Sequence, residues 1–253
     1  MKALILTSTS LRHCYFIKTI AQKFDVIAAL TEMKKNYYSL QRQECEVVRQ
    51  HFVKIKASEQ EWFASEYKGN LPEIQEVCDI NEPRLINWAR QEKFDVLCLF
   101  GTSILKREWL QAFPNKIVNL HLGLSPFYRG SATLFWPFVN RELQYLGTTI
   151  HLAVAKVDAG AIIKRVQSDL KTSESYYDIT HRLIRNSIDQ FPAALESYLL
   201  GQIRPYPQED IKGKLYRKAD FTPESLRKAL DYVGEGLTYK EINRIKFLKK
   251  CLY

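Results

Sequence analysis

Three polar side chains of the sequence could act together on a reacting carbonyl group. Asn119 and His121 lie two residues apart in a run that reads as a strand end, so their side chains share one face. An amide donor and an imidazole on one face can share the oxygen charge of a tetrahedral intermediate. Asp158, shortly before Gly160, could supply the carboxylate that manages the proton of the imidazole. The residue types equally allow a structural interpretation, with a core histidine and a turn-forming amide.

The elements that must position these residues can be predicted from hydrophobic patterning. Near-continuous apolar strands joined by helices are typical of a parallel sheet that helices cover on both faces. The first hundred residues alternate in this way, which predicts an α/β, Rossmann-like and mostly parallel sheet. The predicted strands are residues 3–7, 25–30 and 94–100, and the predicted helices are residues 17–24, 36–68 and a segment capped by Asn81 that runs to about Lys93.

The middle of the chain predicts strands separated by tight turns. Five of the ten glycines fall between Gly101 and Gly160. Ligands of open α/β sheets bind beyond the carboxyl ends of the strands, which is where Asn119 and His121 are expected. The predicted elements are strands over 116–121, 147–155 and 161–168, a loop over 123–130, a helix over 131–140 and a long helix over 179–195.

The pattern changes after residue 204. Pro205 and Pro207 precede a polar and basic segment, and Thr222 and Thr238 are predicted to start two short helices. We therefore expect a catalytic domain over residues 1–204 and a small helical extension over residues 205–253.

Composition excludes several classes of protein. No apolar run approaches the roughly 20 residues that span a bilayer, so no membrane partner is expected. The five cysteines are scattered without metal spacing, which disfavours a zinc site or disulfide framework and favours a cytoplasmic location. Neither GxGxxG after the first strand nor GxxxxGK[ST] occurs, which disfavours a dinucleotide oxidoreductase and a P-loop NTPase. The net charge of +9 favours anionic partners without selecting one.

Three motifs together resemble a known family. Asn-x-His-x-x-Leu-x-Pro-x-x-Arg-Gly spans residues 119–130, Gly-Thr-Thr-Ile-His spans 147–151 and Asp-x-Gly-x-Ile spans 158–162. These resemble the folate-dependent formyltransferase superfamily, most closely its sugar N-formyltransferases. The resemblance covers roughly residues 1–200 in segment order. It implies the formyltransferase fold and direct formyl transfer from 10-formyltetrahydrofolate to a primary amine, without a covalent enzyme intermediate or a metal.

The resemblance also implies residue roles. Asn119 and His121 are expected to polarise the formyl oxygen and stabilise the oxyanion, and Asp158 to steer the protonation of the imidazole and help remove the amine proton. His151 is expected to be mainly structural. The pterin ring is expected against the backbone after the strand that ends near Phe100, with a second loop closing the other side. The expected folate-site residues are Phe100, Gly101, Ser103, Ile104, Leu105, Val154, Lys156 and Val157.

Two further segments are candidates for binding the acceptor. The hydroxyl-rich turn before the first helix could bind an anion with the help of Arg12, although ordinary helix capping explains it at least as well. Arg129 could contact a substrate phosphate or only brace its loop. The family usually has Ser-Leu-Leu-Pro where residues 123–126 read Gly-Leu-Ser-Pro, and a glycine in the first turn that is missing here. The expected acceptor-site residues are Ser8, Ser10, Arg12, His13, Tyr128 and Arg129.

The expected acceptor is an amino sugar carried on a nucleotide, as in surface polysaccharide synthesis. Sugar N-formyltransferases commonly follow the motif with an aromatic-rich helix, as residues 128–136 do. Methionyl-tRNA formyltransferases carry a C-terminal β-barrel, whereas this chain ends in helical patterns; glycinamide ribonucleotide enzymes generally lack such a tail. A formyltetrahydrofolate hydrolase, which usually has an N-terminal regulatory domain, and a non-catalytic anion- or nucleic-acid-binding protein stay open as alternatives. The resemblance also suggests a homodimer.

Overall fold

The computed structural model describes residues 1–33, 45–67, 72–211, 213–234 and 236–250. The strands are β1 (Lys2–Ser8), β2 (Asp25–Glu32), β3 (Ile74–Val77), β4 (Val96–Leu99), β5 (Ile117–His121), β6 (Tyr128–Gly130), β7 (Gly147–Leu152), β8 (Ile162–Gln167) and β9 (Lys214–Tyr216). The α-helices are α1 (Leu11–Ala21), α2 (Glu46–Phe63), α3 (Pro83–Gln91), α4 (Arg107–Ala112), α5 (Trp136–Val139), α6 (Tyr176–Leu199), α7 (Pro223–Val233) and α8 (Tyr239–Lys250). None of the helices in this described part of the chain has the length and apolar character needed to cross a membrane.

Seven of the strands form one sheet in the order β3-β2-β1-β4-β5-β7-β8. All neighbours from β3 to β5 are parallel, and β7 runs antiparallel to both β5 and β8. The two remaining strands, β6 and β9, pair with each other in parallel. This arrangement confirms the predicted α/β fold with a mostly parallel sheet.

Helices cover both faces of the sheet because the buried strands are apolar on both sides. In β1, Ala3 and Ile5 belong to one hydrophobic cluster, whereas Leu4 and Leu6 belong to the other. Strand side chains alternate between the two faces, so one short run supplies both layers. The first cluster includes residues of α1, α2 and α6, and the second includes residues of α3 and α4.

The helix start predicted at Asn81 is wrong. The helix begins at Pro83, and its N-cap is Glu82, which makes no capping hydrogen bond with its side chain. The Asn81 amide instead donates to the carbonyl of Ile104 at 3.2 Å, and its oxygen accepts from the backbone N–H of Lys106 at 2.8 Å. Asn81 therefore braces the loop after β4, a long-range role that a local sequence pattern cannot show.

Other differences have similar causes. β3 was not predicted because it is an edge strand whose first three residues are exposed, so it lacks an apolar run. The helix predicted over 131–140 is reduced to α5, and Ala132 adopts a left-handed backbone with φ 55°. In the predicted helical range 36–68, α2 confirms a helix, while residues 36–44 and 68 lie outside the described residues.

The segment after residue 204 packs into the core of the sheet. Its two helices start at Thr222 and Thr238 as predicted, and it also holds β9, which was not predicted. Tyr216 of β9 stacks on Trp136 with ring centroids 4.2 Å apart. Leu226 is fully buried in the same cluster as α1 and α6. The tail therefore shares the hydrophobic core of the residues that precede it.

Replacing a tail residue should consequently destabilise the whole fold. We expect Leu226→Ala to lower the free energy of unfolding by about 2–5 kcal/mol, because it leaves a cavity in the shared core. Urea denaturation followed by circular dichroism and tryptophan fluorescence should give one coincident transition. The control Leu200→Ala, at a side chain that is 57% exposed, should change stability by less than about 0.5 kcal/mol. A small loss in Leu226→Ala, or two separate transitions, would contradict the shared core.

Candidate active site

The candidate site lies on one face of the sheet, where β5 and β7 pair. Asn119 is opposite His151 in the ladder, and His121 is opposite Thr149. Paired residues of neighbouring strands point to the same side, and Leu120, between Asn119 and His121, belongs to the first cluster on the opposite face. The four polar side chains of Asn119, His121, Thr149 and His151 therefore face the side of the second cluster, next to the region that α3 and α4 cover. As predicted, Asn119 and His121 share one face.

The imidazole of His121 is held at both ring nitrogens. Its Nε2 lies 3.0 Å from the carbonyl oxygen of Tyr128, and its Nδ1 lies 3.4 Å from Oδ1 of Asp158. A carbonyl can only accept, so Nε2 carries the proton and Nδ1 faces the carboxylate. Gly123 permits this close approach, because a Cβ there would lie 2.4 Å from Nε2 of His121.

Asp158 is fixed by its backbone and by its carboxylate. Its φ of 51° is left-handed, and Oδ2 accepts the backbone N–H of Gly130 at 2.9 Å. Oδ1 lies 3.4 Å from His121 and 3.7 Å from Nε2 of His151. Gly160 is required nearby, since a Cβ would lie 1.7 Å from the carbonyl oxygen of Leu152. The structure thus brings the three predicted catalytic residues together.

The two titratable partners differ in charge at neutral pH. Burial raises the pKa of Asp158, but electrostatic attraction to the imidazoles of His121 and His151 and the hydrogen bond from the N–H of Gly130 outweigh burial and lower it to about 2. Burial lowers the pKa of His121, and the opposing effect of Asp158 does not restore it. The resting pair is therefore a carboxylate beside a neutral imidazole, and Nδ1 can take up one proton next to a counter-charge.

His151 orients the remaining catalytic amide. Nδ2 of Asn119 donates to Nε2 of His151 at 3.1 Å, and Nδ1 of His151 donates to the carbonyl of Leu152 at 2.8 Å. The amide keeps a second N–H that this bond does not use. His151 thus contacts both Asn119 and Asp158 while it is 2% exposed, in keeping with the structural role predicted for it.

The loop expected at the folate site combines buried anchors with exposed apolar side chains. Glu32 holds it by accepting from the backbone N–H of Ser103 at 2.7 Å. Ile104 is 73% exposed, and Val154 on the opposite loop is 46% exposed. Gly101 has φ 72°, and a Cβ there would lie 2.3 Å from the His13 ring.

The other expected folate-site residues differ in exposure. The side chains of Phe100 and Leu105 are buried. The backbone of Phe100 is bonded within the fold, because its N–H donates to the Leu6 carbonyl at 3.1 Å and its carbonyl accepts from the Thr7 hydroxyl at 2.8 Å. Ser103 and Lys156 are exposed, and Val157 is half-buried. Folate binding by this set stays a prediction.

The turn before α1 does not present free charge. Arg12 pairs with Glu59, with 2.9 Å between Nη1 and Oε2. The Ser8 hydroxyl donates to the Glu32 carbonyl at 3.0 Å, and Ser10 bonds Nδ1 of His13 at 2.7 Å. Ser10 is the N-cap by position, yet it makes no capping hydrogen bond, so the alternative of ordinary capping is wrong. Anion binding by Ser8, Ser10, Arg12 and His13 stays a prediction.

Tyr128 and Arg129 differ from each other in role. The Tyr128 side chain is buried against Glu142 and Asn140, so the contact with substrate predicted for that side chain is corrected: its carbonyl holds His121 instead. Nε of Arg129 is buried and has no hydrogen-bond partner among the described residues. The positive charge of Arg129 also lowers the pKa of His121, which places it near the site. Binding of an anionic ligand by Arg129 stays a prediction.

Sequence reasoning missed several residues that support the site. Thr149 donates to the carbonyl of Gly123 at 2.7 Å and accepts the N–H of Ser125 at 2.9 Å. Its position in the motif Gly-Thr-Thr-Ile-His is the signal that could have found it. Gln208 donates to the carbonyl of Asp158 at 2.8 Å, and nothing in its polar surroundings marks it. Among the described residues, no group of His, Cys, Asp and Glu side chains could hold a metal ion.

A family model and several known proteins match this chain. A family model described as "Formyl transferase" matches residues 5–195. The chain is 29% identical over 143 residues to the methionyl-tRNA formyltransferase of Clostridium acetobutylicum, covering 56% of this chain and 46% of that protein. It is 32% identical over 117 residues to that of Roseiflexus castenholzii, covering 46% and 37%. The chain thus matches less than half the length of these curated relatives.

Solved structures share the fold over most of the chain. A sugar N-formyltransferase from a Shewanella species has a TM-score of 0.60 at 15% identity, covering 94% of this chain and 90% of that one. An N-formyltransferase from Helicobacter canadensis, solved with folinic acid and dTDP-3-aminofucose, has a TM-score of 0.60 at 14% identity, covering 92% and 81%. Glycinamide ribonucleotide transformylase 1 from Symbiobacterium toebii has a TM-score of 0.57 at 18% identity, covering 81% and 94%.

Removing the carboxylate should change the titration of its partner. We expect Asp158→Asn to lower the pKa of His121 further, because the opposite charge that favours the imidazolium is lost. Nitrogen-detected NMR of the imidazole rings measures this directly. Asp210→Asn, an exposed aspartate of the tail, is the matched control and should leave His121 unchanged. An unchanged or raised pKa in Asp158→Asn would show that the carboxylate does not act on His121.

Proposed function

The chain belongs to the formyl transferase family, and we propose that it transfers a formyl group from 10-formyltetrahydrofolate to a primary amine. The observation that carries the proposal is the contact between His121 and Asp158 beside Asn119, inside the matched region. An amide donor, a neutral imidazole and a buried carboxylate are the groups that acyl transfer to an amine requires.

The folate supplies the formyl group and leaves as tetrahydrofolate. Asn119 donates its remaining N–H to the formyl oxygen, where negative charge develops as the amine nitrogen bonds to the formyl carbon. Nδ1 of His121 takes the proton that the amine loses, and Asp158 stabilises the resulting imidazolium. The same proton then goes to the folate nitrogen as its bond to the formyl carbon breaks, so the pair ends as it began.

The apolar side chains beside the site fit the planar ring of the donor. Ile104 and Val154 are large apolar side chains that stay exposed on the two loops expected at the folate site. Exposed apolar side chains in a cleft are a usual sign of a ligand site. The loop after β4 is held by Glu32 and Asn81, so it can present backbone groups to a ring without reorganising.

The proposed acceptor is an amino sugar linked to a nucleotide diphosphate. The Helicobacter canadensis enzyme was solved with dTDP-3-aminofucose, and its structural similarity extends over 92% of this chain. The uncommitted charge of Arg129, together with a net charge of +9, suits a diphosphate. Methionyl-tRNA is the second candidate, because the curated relatives with 29–32% identity are methionyl-tRNA formyltransferases. A homodimer and a cytoplasmic location are proposed with the same function.

A panel of acceptors tests the reaction and the acceptor class together. The absorbance change of 10-formyltetrahydrofolate is followed with amino-sugar nucleotides, glycinamide ribonucleotide and methionyl-tRNA. Turnover with one amino-sugar nucleotide is the expected result. Turnover only with methionyl-tRNA or glycinamide ribonucleotide would replace the sugar, and turnover without any acceptor would indicate a hydrolase. Binding to a phosphate matrix without turnover would indicate a non-catalytic protein.

Replacing the imidazole should stop the chemistry and leave the fold intact. We expect His121→Asn to lower kcat roughly a hundred- to ten-thousandfold, because the proton acceptor is lost. Folate binding, measured by calorimetry, should change less than about threefold, since only the reacting proton depends on His121. His51→Asn, a buried histidine outside the site, is the control and should keep its specific activity. Full turnover by His121→Asn would contradict the mechanism.

Replacing Arg129 should raise the KM for the acceptor and leave the KM for the folate donor nearly unchanged. We expect Arg129→Met, which keeps the length of the side chain, to raise the KM for the acceptor about tenfold or more by removing a charge-assisted hydrogen bond. The KM for the folate donor should stay within about twofold, since Arg129 is proposed to meet only the acceptor anion. Arg204→Met, at an exposed arginine, is the matched control. Equal effects on both substrates would show that Arg129 only braces its loop.

A further inference from the structure

The first residues of the tail run along both loops that form the site. Tyr206 forms a two-bond bridge with Ile162, at 2.7 Å and 3.0 Å, directly after the Asp158 loop. Further on, Lys214 donates its backbone N–H to the carbonyl of Phe127 at 2.8 Å, in the loop that supports His121. Gly213 lies so close to this loop that a Cβ would be 1.6 Å from the carbonyl oxygen of Pro126. Tyr206, Gly213 and Lys214 therefore contact both loops.

Within the tail, the side-chain amide of Gln208 holds the Asp158 loop. Its Nε2 donates to the carbonyl oxygens of Asp158 at 2.8 Å and Gly160 at 2.9 Å. A primary amide has two N–H donors, and both are used here. The hydroxyl of Ser125 also reaches the Asp158 carbonyl, at the longer distance of 3.3 Å. Among the described residues, Gln208 is thus the closest side-chain donor to the carbonyl oxygens of Asp158 and Gly160.

The next residue fixes where Gln208 lies. Glu209 forms a two-point ion pair with Arg165, whose Nη1 is 2.9 Å from Oε1. Nε of Arg165 donates to the carbonyl of Ser125 at 3.0 Å, and its side chain is only 6% exposed. The guanidinium also lies 5.8 Å from the ring of Tyr206. These contacts attach the tail to β8 on either side of Gln208.

The turn that Gln208 holds has little margin for movement. Asp158 adopts a left-handed backbone, which aspartate adopts infrequently and at some energetic cost. Its carboxylate is 3.4 Å from His121, so a small shift would separate the pair. Misplacing a catalytic group by about 1 Å can cost on the order of a hundredfold in rate.

We propose that Gln208 is a positioning residue for the reaction: by fixing the carbonyls of Asp158 and Gly160, it holds the Asp158 carboxylate against His121. This inference rests on the proposed function for its kinetic consequence. Gln208 lies beyond residue 195, the last residue that the family model matches. The catalytic arrangement therefore depends on the tail as well as on the matched region.

The titration of His121 tests the positioning without any acceptor. The pKa of His121 is affected by Asp158, His151, Arg129 and the Tyr128 carbonyl. Of these groups, only Asp158 lies in a loop to which Gln208 donates hydrogen bonds. We expect Gln208→Leu to lower the pKa of His121 in the same direction as Asp158→Asn. The double variant should titrate like Asp158→Asn alone, because Gln208 acts through that carboxylate. An unchanged titration in Gln208→Leu would overturn the proposal.

Kinetics provide the second readout. With a working acceptor, Gln208→Leu should lower kcat about ten- to a hundredfold and change the KM for the folate donor less than about twofold. In a protein that already carries Asp158→Asn, adding Gln208→Leu should have no further effect on kcat. Additive losses in this cycle would show that Gln208 does not act through Asp158.

Two further variants separate positioning from folding. Gln208→Glu keeps the shape of the side chain but replaces the donors by acceptors, so it should lower kcat as Gln208→Leu does, even if Gln208→Leu unfolds. Wild-type behaviour of Gln208→Glu would overturn the proposal. Gln202→Leu, at an exposed glutamine six residues earlier, is the matched control and should change neither readout. If no acceptor in the panel is formylated, the proposed function fails, while the titration still decides the role of Gln208.

Discussion

One three-residue strand orients both members of the catalytic pair. The carbonyl of Tyr128, at the start of β6, accepts from His121, and the N–H of Gly130, at its end, donates to Asp158. The backbone groups of a paired strand have little freedom to move. The distance between the Tyr128 carbonyl and the Gly130 N–H therefore sets the separation between the His121 imidazole and the Asp158 carboxylate. In the part of the chain that the structure describes, β6 in turn pairs only with β9 of the tail. The geometry of the site thus depends on a two-stranded ladder outside the main sheet.

Burial gives this pair its chemical character. A lone carboxylate would be expensive to bury, but Asp158 keeps its charge because the N–H of Gly130 and the two histidines stabilise it. His121, which is more deeply buried, prefers to be neutral. A proton released during a reaction can therefore bind to the neutral imidazole of His121. The carboxylate of Asp158 then stabilises the imidazolium that forms. Arg129, close by with a buried and unbonded Nε, adds positive charge that an anionic substrate would balance.

The sequence predicted the parts of the structure that depend on local chemistry. Apolar runs located β1, β2 and β4, and the alternation of Asn119 and His121 placed both on one face, as β5 shows. What it missed depends on partners far along the chain. Asn81 reads as a helix cap because capping is local, yet its amide meets residues about 25 positions later. The ion pair of Arg12 with Glu59 likewise joins residues 47 positions apart, which a local pattern cannot show.

The tail shows the same limit in a form that bears on function. Gln208 sits in a polar stretch in which every residue reads as solvent-exposed, and only the fold shows its amide against two carbonyls of the Asp158 loop. A carboxylate held in a left-handed turn needs such bonds, because the turn itself is unfavourable for aspartate. A motif identifies the groups that react, whereas their separation is set by bonds that a motif does not contain. In this chain, those bonds come from β6 and from the segment that follows residue 204.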